Sequence, residues 1–192
     1  MFEGWGEFYL LAGSAAAVLI GLIFVVVTLM QNQSRSSVLS GSKLYMGPIV
    51  LQVSFVLTLS AAALMPEITA RQYALVAAAV ALWGVGRGVD SIVGISRLSG
   101  ADKPHWSDVW CYGVVPAALS GLLAAVALAF WWESERATYG VAAVLTGMLL
   151  ISIRNEWDLV TWLAPKADSK DMFEDAPAGE GGGRTAKESR RD

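Results

Sequence analysis

The sequence predicts an all-α membrane protein, a bundle of five transmembrane helices followed by a disordered cytoplasmic C-terminal tail. Hydrophobic residues make up 55% of the chain and charged residues only 16%, whereas a soluble domain is typically about 25% charged. Apolar stretches long enough to cross a bilayer recur along residues 1–164, which we assign to the membrane domain. Residues 165–192 contain too few apolar residues to form a core, which predicts a disordered tail.

Each predicted span approaches or exceeds the length of about 20 residues that crossing the hydrocarbon core requires. The first span follows Glu3 and Glu7 instead of basic residues, and it is longer than the apolar part of a signal peptide. We therefore expect it to be retained as a membrane helix. The predicted spans are residues 8–30, 44–65, 73–96, 109–131 and 139–162.

Small residues recur at helical spacing in the first and third spans. Gly13, Ala17 and Gly21 lie four residues apart, and so do Gly84 and Gly88. This spacing lets a second helix approach closely, so we predict helix packing at both places. The glycines of the third span resemble a phosphate-binding loop, but no strand precedes them, and packing is the better interpretation.

Other polar residues of the spans have a simpler interpretation. In the second span we expect the mildly polar side chains to form hydrogen bonds between helices. Pro116 is expected to kink the fourth span. The polar residues of the second span are Gln52, Ser54, Thr58 and Ser60.

The distribution of basic residues predicts the orientation of the chain. Lysine and arginine favour cytoplasmic loops. Arg35 and Lys43 follow the first span, and Arg97 and Lys103 follow the third, whereas the opposite loops are mainly acidic. We therefore expect the N-terminus outside and the C-terminus in the cytoplasm.

Composition argues against several classes of function. One cysteine and one histidine cannot form a His/Cys metal cage, and the sequence shows no nucleophile–base set. Basic residues are not separated from acidic ones, which argues against a nucleic-acid partner. We therefore expect neither an enzyme nor a protein that holds a metal or a cofactor, and the predicted surroundings are the lipid bilayer.

The last span carries an unusual group of polar residues. Arg154, Asn155, Glu156 and Asp158 lie in its last third. Ionised groups inside a membrane span are costly, roughly 2.5–3.5 kcal/mol each at the helix centre. Arg154 and Asp158 are four residues apart and share a helix face, while Glu156 points roughly the opposite way. We therefore expect this span to lie at the centre of the bundle or at an oligomer interface.

The third span carries charges at a similar predicted depth, which leads us to expect one charged layer. If the third and fifth spans are neighbours, Arg154 pairs with Asp158 and also with Asp90. The layer is then either a structural clasp that fixes helix register or a site or pathway for an ion, proton or small polar solute. Its members are Arg87, Asp90, Arg154, Asn155, Glu156 and Asp158.

Two short motifs carry a resemblance to a known group of proteins. They are Gly21–Val25 in the first span and Ile153–Leu159 in the fifth. The chain resembles a family of uncharacterised small multi-pass proteins of bacterial inner membranes, in which the closing motif is similar to Arg-Asn-Ala-Trp-Asp-Leu. Here Glu156 stands in place of the alanine. The resemblance covers the spans but not the tail, and it implies an inner-membrane location without an activity.

Three hypotheses for function remain open. The first is a channel- or transporter-like bundle, oligomeric because five thin helices leave little room for a water-filled route. The second is a regulatory or scaffolding subunit whose charged layer is a clasp and whose cytoplasmic side binds a protein. The third, an intramembrane enzyme, lacks a nucleophile–base pair. A hydrated cavity beside Asp90 and Glu156 would favour transport, whereas a dry, fully paired layer would favour the clasp.

Overall fold

The computed structural model describes the chain in three segments, and every regular element in them is helical. The backbone is described for residues 2–30, 46–96 and 109–174, and side chains for 2–28, 46–94 and 109–161. The helices are α1 Gly6–Met30, α2 Gly47–Ala63, α3 Ala70–Ser96, α4 Val115–Trp131 and α5 Ala137–Glu174. The predicted all-α class is thereby confirmed for the described residues.

Within the described residues, four helical stretches are long and apolar enough to cross a membrane. They are Gly6–Thr28, Ala70–Gly94, Trp110–Trp131 and Ala137–Thr161. α2 is apolar too, but its 17 residues reach only about 26 Å, slightly less than a hydrocarbon core of about 30 Å. The predicted span 44–65 begins in residues outside the described segments, so α2 as a fifth span stays a prediction.

The helices form a ring with one diagonal contact. Each helix packs on the next along the chain, and α5 returns to pack on α1 and also on α2. The most extensive contact is between α3 and α4. Among the described residues, α3 and α5 share no substantial interface, because α2 and α4 lie between them. The condition under which we expected one charged layer, that the third and fifth spans are neighbours, is therefore not met.

Aromatic rings join the helices at the end of the bundle where the chain begins. The Phe2 ring centroid lies 5.1 Å from that of Tyr9 and 4.8 Å from that of Tyr73, and the Tyr73 and Phe130 centroids are 5.0 Å apart. α1, α3 and α4 thus meet around one buried cluster, and α5 joins it through Tyr139. We call this region, formed by Phe2, Trp5, Tyr9, Tyr73, Phe130 and Tyr139, the aromatic end.

The two glycines of α3 lie where α4 comes closest. A Cβ added at Gly88 would lie 2.7 Å from the Cβ of Ala117, and one added at Gly84 would lie 2.9 Å from the Cβ of Ser120. Both distances are shorter than carbon atoms tolerate, so only glycine fits. The structure therefore places α4 against the predicted small-residue face of α3.

The small residues of α1 behave differently. A Cβ at Gly13 would lie 3.3 Å from the Cβ of Ser60 on α2, whereas one at Gly21 would meet no described atom within 4 Å. Ala17 is exposed. The buried face of α1 instead includes Ala12 and Ala16, which lie one residue before the predicted seam. Helix spacing alone does not distinguish two adjacent faces that both carry small residues.

α5 continues beyond its membrane-spanning part. The backbone is helical to Glu174, although the sequence analysis predicted disorder from residue 165 onward. Residues 166–174 include Lys, Ala, Met and Glu, which have high helix propensity, and they extend a helix that is already nucleated. The remaining predicted tail, residues 175–192, lies outside the described residues.

Candidate functional site

One irregular helical turn immediately precedes α4 and is continuous with it. Residues Trp110–Val114 form one turn of π-helix, in which the backbone N–H of Val115 donates to the carbonyl of Trp110. Pro116 follows, and it has no N–H to donate. Pro116 comes four residues after Tyr112 and five residues after Cys111. An N–H at this position would donate to the Tyr112 carbonyl in an α-helix or to the Cys111 carbonyl in a π-helix. The proline supplies neither bond.

Side chains from two other helices supply donors to these carbonyls. Asn155 Nδ2 on α5 donates to the Cys111 carbonyl at 2.9 Å, and Ser91 Oγ on α3 donates to the Tyr112 carbonyl at 3.1 Å. The Tyr112 hydroxyl donates in turn to the main-chain carbonyl of Asn155 at 3.1 Å. We call these four residues the π-turn clasp and this end of the bundle the polar end. Through the clasp, α3 and α5 are both tied to α4 without packing on each other.

A cavity of about 140 Å³ lies beside the clasp, between α2, α3 and the beginning of α4. This volume holds roughly four or five water molecules, at about 30 Å³ for each. Arg87 and Asp90 are the charged residues of its lining, and Gly84 and Gly88 contribute bare backbone to it. Four of the predicted site residues, all on α3, therefore line this cavity.

The least expected feature of the cavity is Gln52 on α2. Its side chain is 4% exposed, and neither atom of its amide has a hydrogen-bond partner in the described part of the chain. An unpartnered buried amide costs about 1–3 kcal/mol. Gln52 does not form the helix–helix hydrogen bond that we expected of it, and the cavity that it lines offers space for an occupant that would supply one.

The other polar residues of α2 also fail to bond across helices. The Ser54 hydroxyl donates to the Val50 carbonyl and the Thr58 hydroxyl to the Ser54 carbonyl, both at 2.8 Å within α2. The Ser60 hydroxyl is buried without a partner in the described segments. The hydroxyls of Ser54 and Thr58 are thus satisfied on their own helix, whereas the Gln52 amide and the Ser60 hydroxyl are not.

The charged pair of the cavity is loose. Arg87 Nη1 and Asp90 Oδ2 are 3.6 Å apart, and both side chains are more than half exposed. A charge-assisted hydrogen bond is typically about 2.7–2.9 Å long. The guanidinium, with its five N–H donors, and the carboxylate therefore both retain capacity to bind a ligand.

The second charged pair lies on α5, away from the cavity. Arg154 Nη1 and Asp158 Oδ2 are 3.2 Å apart, as predicted from their spacing, and both side chains are nearly half exposed. The expected pairing of Arg154 with Asp90 is not made: among the described side chains, each arginine of the predicted layer pairs within its own helix. The predicted layer is therefore two separate pairs, because α3 and α5 are not neighbours.

Asn155 and Glu156 are the buried members of the group on α5. Asn155 serves the π-turn clasp, a structural role. Glu156 is 6% exposed, and both its carboxylate oxygens lack a partner within the described residues. It lies about 100° around the helix from Asn155, and it is not among the residues that line the cavity.

Comparison with protein families, curated proteins and solved structures finds no match to this chain. Within the described side chains, no group of three or more His, Cys, Asp or Glu residues is arranged to hold a metal ion. The cavity instead combines one amide, one guanidinium and one carboxylate, groups that recognise polar solutes by hydrogen bonding.

Proposed function

We propose that the chain is a membrane-embedded, transporter-like protein that binds a small polar solute in the cavity between α2, α3 and α4. The observation that carries the proposal is Gln52, a buried amide without a partner that lines this cavity. Polar groups inside membrane segments are costly, and they commonly mark substrate pathways. A bound solute would complete the hydrogen bonding of Gln52 and engage Arg87 and Asp90.

The position of the cavity supports access from one side of the membrane. Gln52 lies about 8 Å along α2 from Gly47, and Asp90 lies about 6 Å from the end of the apolar stretch at Gly94. The cavity is thus close to the polar end. With the orientation that the basic loops predict, we assign this end to the cytoplasmic face of a bacterial inner membrane, with α2 as the fifth span.

A homo-oligomer completes this proposal. A cavity of about 140 Å³ provides a binding site but not a continuous water-filled route through a single bundle. The exposed face of α1 carries Ala17 and Gly21, where a second helix would find no Cβ bulk at Gly21. We propose that copies of the chain associate there and that the route forms between or within the assembled bundles.

A second candidate function rests on a different observation. The last part of α5, residues 162–174, extends about 20 Å beyond its apolar stretch at 1.5 Å per residue. A regulatory or scaffolding subunit would use this extension to bind a protein at the cytoplasmic side. In that case the π-turn clasp and the ion pairs are structural, and the cavity transports nothing.

Uptake into proteoliposomes separates the two candidates. Purified chain is reconstituted and tested with a panel of small ions, amides, amines and amino acids, each as a radiolabelled solute. We expect uptake of at least one solute, and its loss in Gln52→Leu. The leucine removes an unpartnered amide and keeps the volume similar, so the variant should fold as well as the parent.

Thr58→Val is the matched control on the same helix. Thr58 is exposed and its hydroxyl bonds only within α2, so this variant should retain uptake. Parent protein that is folded yet inert toward the whole panel would contradict the transport proposal and favour the scaffolding candidate.

A further inference from the structure

Among the described residues that line the cavity, the charges sum to zero. These residues include one arginine and one aspartate, and the phenol of Tyr112 is the other ionisable group among them. A solute with a single charge would be attracted by one of these two groups and repelled by the other. This lining therefore favours a solute whose own charges also sum to zero.

The arrangement of the two charges favours a solute with separated charges over one without any. Arg87 and Asp90 lie on one face of α3, one helical turn apart, with 3.6 Å between Nη1 and Oδ2. A carboxylate on the solute would accept hydrogen bonds from the guanidinium fork, while an ammonium group would donate to Asp90. Because the protein's own pair is loose, the solute competes with a weak contact.

On α2, the Gln52 amide provides a group that can bond to either the carboxylate or the ammonium group of such a solute. The Gln52 amide has both a donor and an acceptor, both unpartnered, and Phe55 provides an apolar surface beside it. A cavity of about 140 Å³ has the volume of about five waters, and hence room for a solute of about five heavy atoms.

We propose that the cavity binds a small zwitterion, with its carboxylate on Arg87, its ammonium group on Asp90 and the Gln52 amide completing the hydrogen bonding. This inference rests on the proposed function, because it names the substrate class of the same cavity. It extends that function by excluding simple anions, simple cations and uncharged amides as the preferred ligands.

Equilibrium binding to the purified full chain in lipid nanodiscs tests the inference with four probes. Glycine is the zwitterion, acetate the anion, methylammonium the cation and acetamide the uncharged amide. We expect glycine to bind at least about tenfold more tightly than each of the others, because each lacks one or both charge-assisted contacts. Arg87→Gln and Asp90→Asn should each weaken glycine binding roughly 10- to 100-fold.

The Arg154–Asp158 pair provides matched controls. Arg154→Gln and Asp158→Asn make the same chemical changes in a pair of the same type that does not line the cavity. These variants should bind glycine like the parent. If an Arg87 or Asp90 variant does not fold, as judged by thermal unfolding, Gln52→Leu replaces it and should weaken glycine binding about 2- to 10-fold.

The outcomes separate failure of the inference from failure of the proposed function. Preference for acetate, methylammonium or acetamide would overturn the zwitterion assignment while supporting a solute site. Equal losses in the α3 and α5 variants would also overturn it, because the cavity pair would have no special part. Absence of binding by every probe would overturn it as well, and Gln52-dependent uptake of another solute would then show that the proposed function survives.

Discussion

At the aromatic end, helices meet through ring contacts, whereas at the polar end they meet through hydrogen bonds to main-chain carbonyls. Tyr9 and Tyr73 are fully buried, yet their hydroxyls have no hydrogen-bond partner among the described residues. The Tyr112 hydroxyl, by contrast, donates to the Asn155 carbonyl at 3.1 Å. The same side chain therefore serves as apolar bulk at one end and as a directed donor at the other.

The two kinds of contact give the two ends of the bundle different possibilities for binding a solute. Ring packing fills the space between the helices at the aromatic end. The polar end contains a π-helical turn, a proline and a cavity, all of which interrupt regular packing. Interruptions of this kind place polar groups where a solute can reach them, and the clasp limits the resulting loss of stability.

The largest effect is expected at the aromatic end. Phe130→Ala removes a ring that contacts Phe2 and Tyr73 and is 1% exposed. We expect the free energy of unfolding in detergent micelles to fall by about 3–5 kcal/mol, because a large cavity replaces the ring. Leu128→Ala on the exposed face of α4 is the control and should cost far less; similar losses would show that the ring cluster does not hold this end.

The next effect is expected where α3 and α4 touch beside the cavity. Gly88→Ala would place a Cβ 2.7 Å from that of Ala117, and we expect a loss of about 1–3 kcal/mol from overpacking. Gly86→Ala is the control, because its Cβ would meet no described atom within 4 Å. Alanine's higher helix propensity should leave that variant unchanged or up to about 1 kcal/mol more stable. Equal behaviour of the two variants would contradict the close approach.

A comparison of adjacent residues on α5 tests the clasp itself. Asn155→Ala removes the side-chain donor of the part-buried Cys111 carbonyl, and we expect a loss of about 1–3 kcal/mol of unfolding free energy. Arg154→Ala removes a half-exposed pair with Asp158, worth about 0.3–0.5 kcal/mol, and a long hydrogen bond from Arg154 Nη1 to Asn155 Oδ1 at 3.4 Å. Chemical unfolding of both variants measures the difference. A greater loss for Arg154→Ala would show that the arginine contributes more than the clasp to the stability of this segment.

The smallest effect is expected from tyrosine-to-phenylalanine substitutions, one made at each end of the bundle. Tyr112→Phe removes a hydrogen-bonded hydroxyl and should cost about 0.5–1.5 kcal/mol. Tyr73→Phe removes a buried hydroxyl without a partner in the described chain, so its thermal midpoint should stay the same or rise. A lower midpoint for Tyr73→Phe would mean that its hydroxyl has a partner in the assembled protein.

Properties set by consecutive residues were predictable from the sequence. Apolar length is such a property, and it identified the helices that are able to cross a membrane. Pairing of Arg154 with Asp158 follows from their spacing and is present. The lateral order of the helices was not predictable, because the residues on a helix face do not specify which other helix packs against it. Arg87 and Arg154 were therefore assigned to one layer, although α2 and α4 separate their helices.

The candidate site was only half predictable for the same reason. Arg87, Asp90 and both glycines of α3 were singled out and do line the cavity. Pro116 was expected to kink its helix, but which side chains donate to the freed carbonyls depends on neighbours that the sequence does not specify. Gln52 was assigned a helix–helix hydrogen bond, and only its burial without a partner shows it as part of a site.

Pro116 also has a consequence for the order in which the protein is made. When α4 enters the bilayer, α3 is already present and Ser91 is available for the Tyr112 carbonyl. The donor for the Cys111 carbonyl, Asn155, lies on α5, which is synthesised after α4. In lipid, an unpaired carbonyl costs several kcal/mol. While a nascent chain lacks α5, the Cys111 carbonyl beside α4 therefore lacks its side-chain donor, and insertion of α5 supplies it.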